Sequence, residues 1–171
     1  MWNQFKRQLR HLGAKRWQHY LSEAAMQRIT QAIAESERTH TGEIRVCLEA
    51  RLPNSYLQRP QDLKTIARQR ALSKFAKLRV WDTADNNGVL IYLLLVERTI
   101  ELVADRGIDA KVPPQTWQAI VHSLGQALER GAFEAGLLDA VAQVSDLLRT
   151  HYPASAGQSN PNELPDRPDA S

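Results

Sequence analysis

Apolar residues follow two periods along this chain. Spacing of three and four dominates five stretches, and strand-like patterns occupy three others. Trp2, Phe5, Leu9 and Leu12 recur at helical spacing near the start. Leu21, Ala25, Ile29, Ala32 and Ile33 then line one face of a helix that Ser22 caps and that runs to about Thr39. "EIRVCLEA" follows the Thr41-Gly42 break and alternates, with Ile44, Val46 and Leu48 on one face and Arg45, Cys47 and Glu49 on the other. "RLPNSYLQRP" reads as a loop on its prolines and Asn54. Asp62 caps the next helix, whose stripe is Leu63, Ile66, Ala67, Ala71, Phe75 and Leu78. Val89–Val96 is apolar throughout, so it predicts a strand covered on both faces. Glu97-Arg98-Thr99 makes a polar turn, and "IELVAD" alternates again with Ile100, Leu102 and Ala104 inward. Pro113-Pro114 opens a helix that Gly131 closes, and a last helix carries Phe133, Leu137, Val141, Val144 and Leu148.

The order is α-β-α-β-β-α-α after the N-terminal segment. A helix joins the first two strands, so they should be parallel with a right-handed crossover. The second and third strands are too close for a crossover and must form a hairpin. The expected fold is α/β: a three-layer α/β/α sandwich around a small mixed sheet. The organisation expected is a basic amphipathic segment over 1–21, one domain over 22–152 and a disordered tail over 153–171. That tail is rich in Ala, Ser, Pro, Asn and Asp, with Leu164 its one large apolar residue.

Composition adds limits. The chain has 171 residues, enough for one real core. Net charge is +3, unevenly spread: residues 1–20 hold Lys6, Arg7, Arg10, Lys15 and Arg16 and no acid. Two readings of that segment stand: a helix lying on a membrane surface or acidic partner, or one packed on the domain with its charges in water. The single cysteine, Cys47, excludes an intrachain disulfide. No secretory signal is visible, and the longest apolar run is far short of the roughly 20 residues a spanning helix needs. The expected location is the cytoplasm, peripheral at the inner membrane if the basic segment docks there.

Candidate chemistry gathers at the stretch "DTADNNG", residues 82–88. A turn centred near Arg98 pairs positions whose numbers sum to about 196. "DRGID", residues 105–109, then returns beside it, with Asp109 opposite Asn87. Asp82, Asp85, Asn86, Asn87, Asp105 and Asp109 are then expected to converge at one sheet edge, near Gly42-Glu43. Carboxylate and amide oxygens on loops suit a hard cation, calcium or magnesium. The alternative is that these are only turn residues. The EF-hand pattern fails: from Asp82, the sixth position is Asn87 and the twelfth Leu93. The general rule for open α/β sheets favours the opposite edge, which carries Glu49, Arg51, Glu97 and Arg98. The chain holds no GxSxG, Gly-rich phosphate loop, CxxC or HExxH, and its five histidines lack ligand spacing. The N-terminal Trp and Phe come with no nucleic-acid-binding signature, which makes nucleic acid an unexpected partner.

"TGEIRV" (41–46), "NNGVLIYLLLVERTIELVADRGI" (86–108) and "ERGAFEAGLLDAV" (129–141) together resemble the TPM domain family. That family includes the plant thylakoid photosystem II repair protein and many bacterial membrane-tethered proteins. The resemblance spans roughly residues 22–150. It implies an α/β/α sandwich, calcium binding in some members and acid phosphatase activity in others. It also implies a membrane-protein partner, LemA-like or a second TPM protein. This chain resembles a short form, without signal peptide, transmembrane tail or Gly-rich ends. "ADRGID" stands where the family has Gly-x-Gly-x-Glu, so Asp109 takes the Glu position. Pro113-Pro114 replaces the acid at the next helix start. The leading expectation is a binding or assembly module near the inner membrane, dependent on a divalent cation. The alternative is a metal-assisted acid phosphatase. There Asp82, Asp85 and Asp109 hold the cation, and Arg106 pairs with the phosphate.

Overall fold

The computed structural model describes residues 10–155 and 162–171. Ser22 accepts the Ala25 amide at 3.1 Å and starts α1, Glu23–Ser36. β1 is Ile44–Glu49. One helical turn, α2 (Asn54–Leu57), interrupts the predicted loop. α3, Leu63–Lys77, begins at Asp62, whose carboxylate takes the Thr65 amide at 2.9 Å. β2 is Val89–Leu94 and β3 is Thr99–Ala104. α4 (Arg106–Asp109), α5 (Pro114–Glu129) and α6 (Phe133–His151) follow. β4, Asp169–Ala170, closes the chain.

The sheet runs β3-β2-β1-β4. β1 is parallel to β2 and to β4, and β3 is antiparallel to β2. Alternation along β1 and β2 feeds two cores, since both strands are buried at every position. Ile44, Val46 and Leu48 with Val89, Ile91 and Leu93 face α1, α5 and α6. Cys47, Leu90, Tyr92 and Leu94 face α3. The result is the expected three-layer α/β/α sandwich with a mixed sheet.

Three expectations change in detail. The hairpin pairs Leu94 with Thr99 and Val89 with Ala104, a register three lower in summed number than a turn at Arg98 predicts. Leu95–Glu97 coil into a 3-10 turn instead of prolonging the strand, and Arg98 closes it in the left-handed region at φ 48°. β3 therefore ends at Ala104, and Asp109 lies on α4 rather than opposite Asn87. Second, residues 162–171 are not the expected disordered tail. Leu164 is buried, and Cys47 pairs with Asp169 and Leu48 with Ala170 along the β1 edge. Residues 156–161 lie outside the described residues. Third, only part of the N-terminal prediction can be placed, because residues 1–9 also lie outside them. Arg10–Leu12 are helical and His11 is buried, but the chain then passes to a 3-10 turn at Trp17–His19. Trp17 and Tyr20 pack on the α1-side core.

Candidate functional site

Asn86 organises the edge between β2 and α4. It sits at φ 52°, a conformation asparagine tolerates better than most residues. Its carbonyl accepts the Gly107 amide at 2.9 Å and the Ile108 amide at 3.3 Å. Its side-chain oxygen accepts from Arg106 Nε at 3.1 Å. The Asp105 amide reaches the Gly88 carbonyl at 2.8 Å, so the two loops are stitched backbone to backbone. Gly107 permits this approach: a Cβ there would stand 2.5 Å from both the Asn86 and the Asp85 carbonyl oxygens.

Thr41 supplies the second hub. Its hydroxyl donates to Asp85 Oδ2 and accepts from Asn87 Nδ2, both at 3.3 Å. Thr83 Oγ1 takes the Asn87 amide at 3.1 Å and fixes the turn. Asp105 Oδ1 caps α4 through the Arg106 amide at 2.8 Å. Two oxygens stand out. Asn87 Oδ1 and Asp105 Oδ2 are buried and have no hydrogen-bond partner among the described residues. A buried polar atom left so costs about 1–3 kcal/mol.

The predicted residues divide accordingly. Asp85, Asn87, Asp105 and Arg106 come together around Thr41 and Asn86. Asp82 does not join them, being exposed and paired with Arg79. Asp109 is exposed at the end of α4. Among the described residues no group of three or more His, Cys, Asp or Glu is arranged to hold a metal ion. A cation here would take a mixed set of carboxylate and amide oxygens, for which the two unpartnered atoms are suitable donors. Calcium accepts such sets and completes them with water. Thr41 was not among the predicted residues, and only its place before Gly42-Glu43 on the neighbouring strand hints at it.

The opposite edge is built differently. Glu49 accepts from Arg70 Nε at 3.1 and 2.9 Å and from the Tyr92 hydroxyl at 2.7 Å. Burial and the neighbouring Glu49 carboxylate push the Tyr92 phenol up, so it stays protonated. Glu97 is held by Arg10 at 3.2 Å and by His11 Nε2 at 3.2 Å, while His11 Nδ1 accepts the Leu52 amide at 3.1 Å. A cavity of about 230 Å³ lies beside these groups, lined by His11, Arg51, Leu52, Asn54, Leu57 and Gln58. The acids of this edge are already engaged, unlike the oxygens around Asn87.

A third polar group is buried behind β1. Glu37 takes the Ile44 amide at 2.9 Å, and Glu43 takes the amides of Glu163 and Leu164 at 3.1 and 3.3 Å. Burial, then the nearby Glu43 charge, raises the Glu37 carboxyl to about 9. Burial raises Glu43 as well. His40 lies buried between the Gly42 carbonyl, 3.0 Å from Nδ1, and Ser145 Oγ, 3.1 Å from Nε2, and burial lowers it to about 4.

This two-core sandwich with a loop-built polar edge defines a class. The sequence matches the TPM domain model over residues 16–147, most of its length, and the chain belongs to the TPM domain family. Among solved structures it is similar to the NMR structure of BA42 protein from the psychrophilic bacterium Bizionia argentinensis. That likeness has 26% identity and a TM-score of 0.72, covering 87% of this chain and 94% of that one. No curated protein matches the sequence.

Proposed function

We propose that this TPM domain is a binding and assembly module whose 82–88 and 105–109 loops take up a divalent cation, calcium or magnesium. The observation that carries the reading is the pair of buried oxygens, Asn87 Oδ1 and Asp105 Oδ2, left without partners on adjoining loops. Such atoms are normally satisfied in folded proteins, and a hard cation or its bound water would satisfy both. Asp85, linked to Asn87 through Thr41, adds a carboxylate. Metal-assisted phosphate ester hydrolysis is supported less well. It requires Asp82 and Asp109 as further ligands, and those two point to other business: an ion pair with Arg79 and solvent. In that reading Arg106, exposed beside Asn86, would pair with the phosphate.

The partner and location belong to the same reading. No helix among the described residues is long and apolar enough to cross a membrane. We take the basic residues of the N-terminal segment as a peripheral contact at the inner membrane, with a LemA-like protein or a second TPM protein as partner. Titration of calcium and magnesium followed by amide NMR shifts tests the core of this proposal. Shifts confined to residues 82–88, 105–109 and Thr41 support it, and their loss in Asp105→Asn secures the assignment. An unchanged spectrum at millimolar cation overturns it.

A further inference from the structure

The last ten residues are bound to the domain as a ligand binds a groove. The groove has a polar floor and an open strand edge. Glu43 receives the Glu163 and Leu164 amides, and Leu164 enters the α3-side core. Arg45 Nη1 donates to the Arg167 carbonyl at 2.9 Å. Lys74 Nζ, 11% exposed, meets Asp169 Oδ2 at 2.9 Å. Beyond it the edge of β1 completes a ladder: Ser171 N donates to the Leu48 carbonyl at 3.0 Å, and Ala50 N to the Ser171 carbonyl at 2.6 Å. This is strand addition to a sheet edge, with backbone bonds for affinity and side-chain pockets for selection. The tail lies beyond residue 147, where the family match stops. Its anchors are far from it in sequence, so nothing in the contact itself requires that groove and tail belong to one chain.

We propose that this groove accepts the C-terminal segment of a second copy of the chain, so that two copies assemble by exchanging tails. The occupant is fixed by what is already seated there: an identical tail carries the same Leu164, Asp169 and terminal strand. Ten residues, 152–161, run between the last helix and the docked segment. They leave the exchange a matter of concentration, because the bound contacts are the same in cis and in trans.

Charge reversal separates the two arrangements in full-length chains. Lys74→Glu sets two carboxylates against each other in its own groove, and Asp169→Lys sets two ammonium groups. Mixing the variants one to one lets Lys74 of one copy meet Asp169 of the other, and Glu meet Lys in the second groove. Far-UV circular dichroism and the β1–β2 amide shifts establish that each variant is folded. The expected result is a species of twice the chain mass in the mixture by light scattering, with each variant alone monomeric at the same concentration, and with the parent and the chain carrying both changes passing to the doubled species as concentration rises. A labelled peptide of residues 162–171 should bind the Asp169→Lys chain at least tenfold more tightly than it binds the Lys74→Glu chain. A mixture that stays monomeric while both chains are folded overturns tail exchange, even if the peptide binds. Failure of the peptide to tell the two variants apart overturns the groove itself.

Discussion

Glu49 and Arg70 form a closed pair between the sheet and α3. Both are buried, and the guanidinium reaches the carboxylate through Nε at 3.1 and 2.9 Å. The Tyr92 hydroxyl takes a further position on the same carboxylate. Removing one partner of such a pair leaves a charge inside the protein, which costs about 3–5 kcal/mol. Arg70→Met should therefore lose stability of that order in urea unfolding. Replacing the whole group, Glu49→Leu with Arg70→Met and Tyr92→Phe, should recover most of the loss. If Arg70→Met is neutral, the pair is not closed as described.

The Glu37 carboxyl gives a pH dependence of unusual sign. Its pKa is about 9 when folded, against 4.5 when exposed. The folded protein therefore binds the proton more tightly, and this group's contribution is complete below about pH 4.5. It is lost as pH rises from there to 9, with a limiting slope of roughly 1.4 kcal/mol per pH unit. Glu43, also raised by burial, acts in the same direction. Glu37→Gln keeps an acceptor for the Ile44 amide and removes the charge. It should flatten the decline between pH 5 and 9 and be more stable than the parent at pH 8, as read by thermal unfolding across pH.

His40 works in the opposite direction. Its folded pKa is about 4, below the 6.5 of an exposed imidazole. The unfolded chain binds the proton more tightly, so stability is held above pH 6.5 and falls as pH drops towards 4. His40→Gln should remove that acid-side slope. It should also cost about 1–3 kcal/mol at pH 7, because either the Gly42 carbonyl, which accepts from the ring, or the Ser145 hydroxyl, which donates to it, loses its buried partner. Denaturant midpoints at pH 5 and pH 7 separate the two effects.

Gly107→Ala tests how tightly the candidate site is stitched. The added methyl meets two backbone carbonyls at 2.5 Å and the Tyr152 hydroxyl at 2.9 Å, and backbone cannot swing aside. Overpacking of this kind costs about 1–3 kcal/mol. Calorimetry should show a melting temperature lower by roughly 2–12 °C, at about 2–4 °C per kcal/mol for a chain of this size. Any cation-induced shifts at residues 82–88 should fall with it.

Much of this architecture is written in local pattern. Ser22, Asp62 and Pro114 mark helix starts that the fold uses, and the alternation of Ile44, Val46 and Leu48 with Cys47 separates the two cores correctly. The hairpin register is not local in this way. Three apolar or mixed residues, Leu95–Glu97, could extend the strand or coil, and the left-handed Arg98 decides for coiling. Composition also misleads at the tail. A polar segment with one leucine reads as disordered because its stabilising partners, Glu43, Arg45 and Lys74, lie more than 90 residues away. At the candidate site, Asp85, Asn87, Asp105 and Arg106 were readable as turn oxygens and a cation meeting across a hairpin. Thr41, which binds two of them, stands in the bend before β1, whose neighbour is set only by the sheet.

The outer side of β3 has a consequence for handling this protein at high concentration. A sheet margin is usually a template on which another molecule's strand can add. Here Arg68 leans from α3 across that margin, giving a hydrogen bond to the Leu102 carbonyl at 2.6 Å while pairing with Glu101 at 3.4 Å. An incoming strand would have to strip away a guanidinium and bury the Glu101 charge before its first backbone bond formed. This border of the molecule is therefore built to resist fibrous aggregation, and a single arginine on a helix provides much of that resistance.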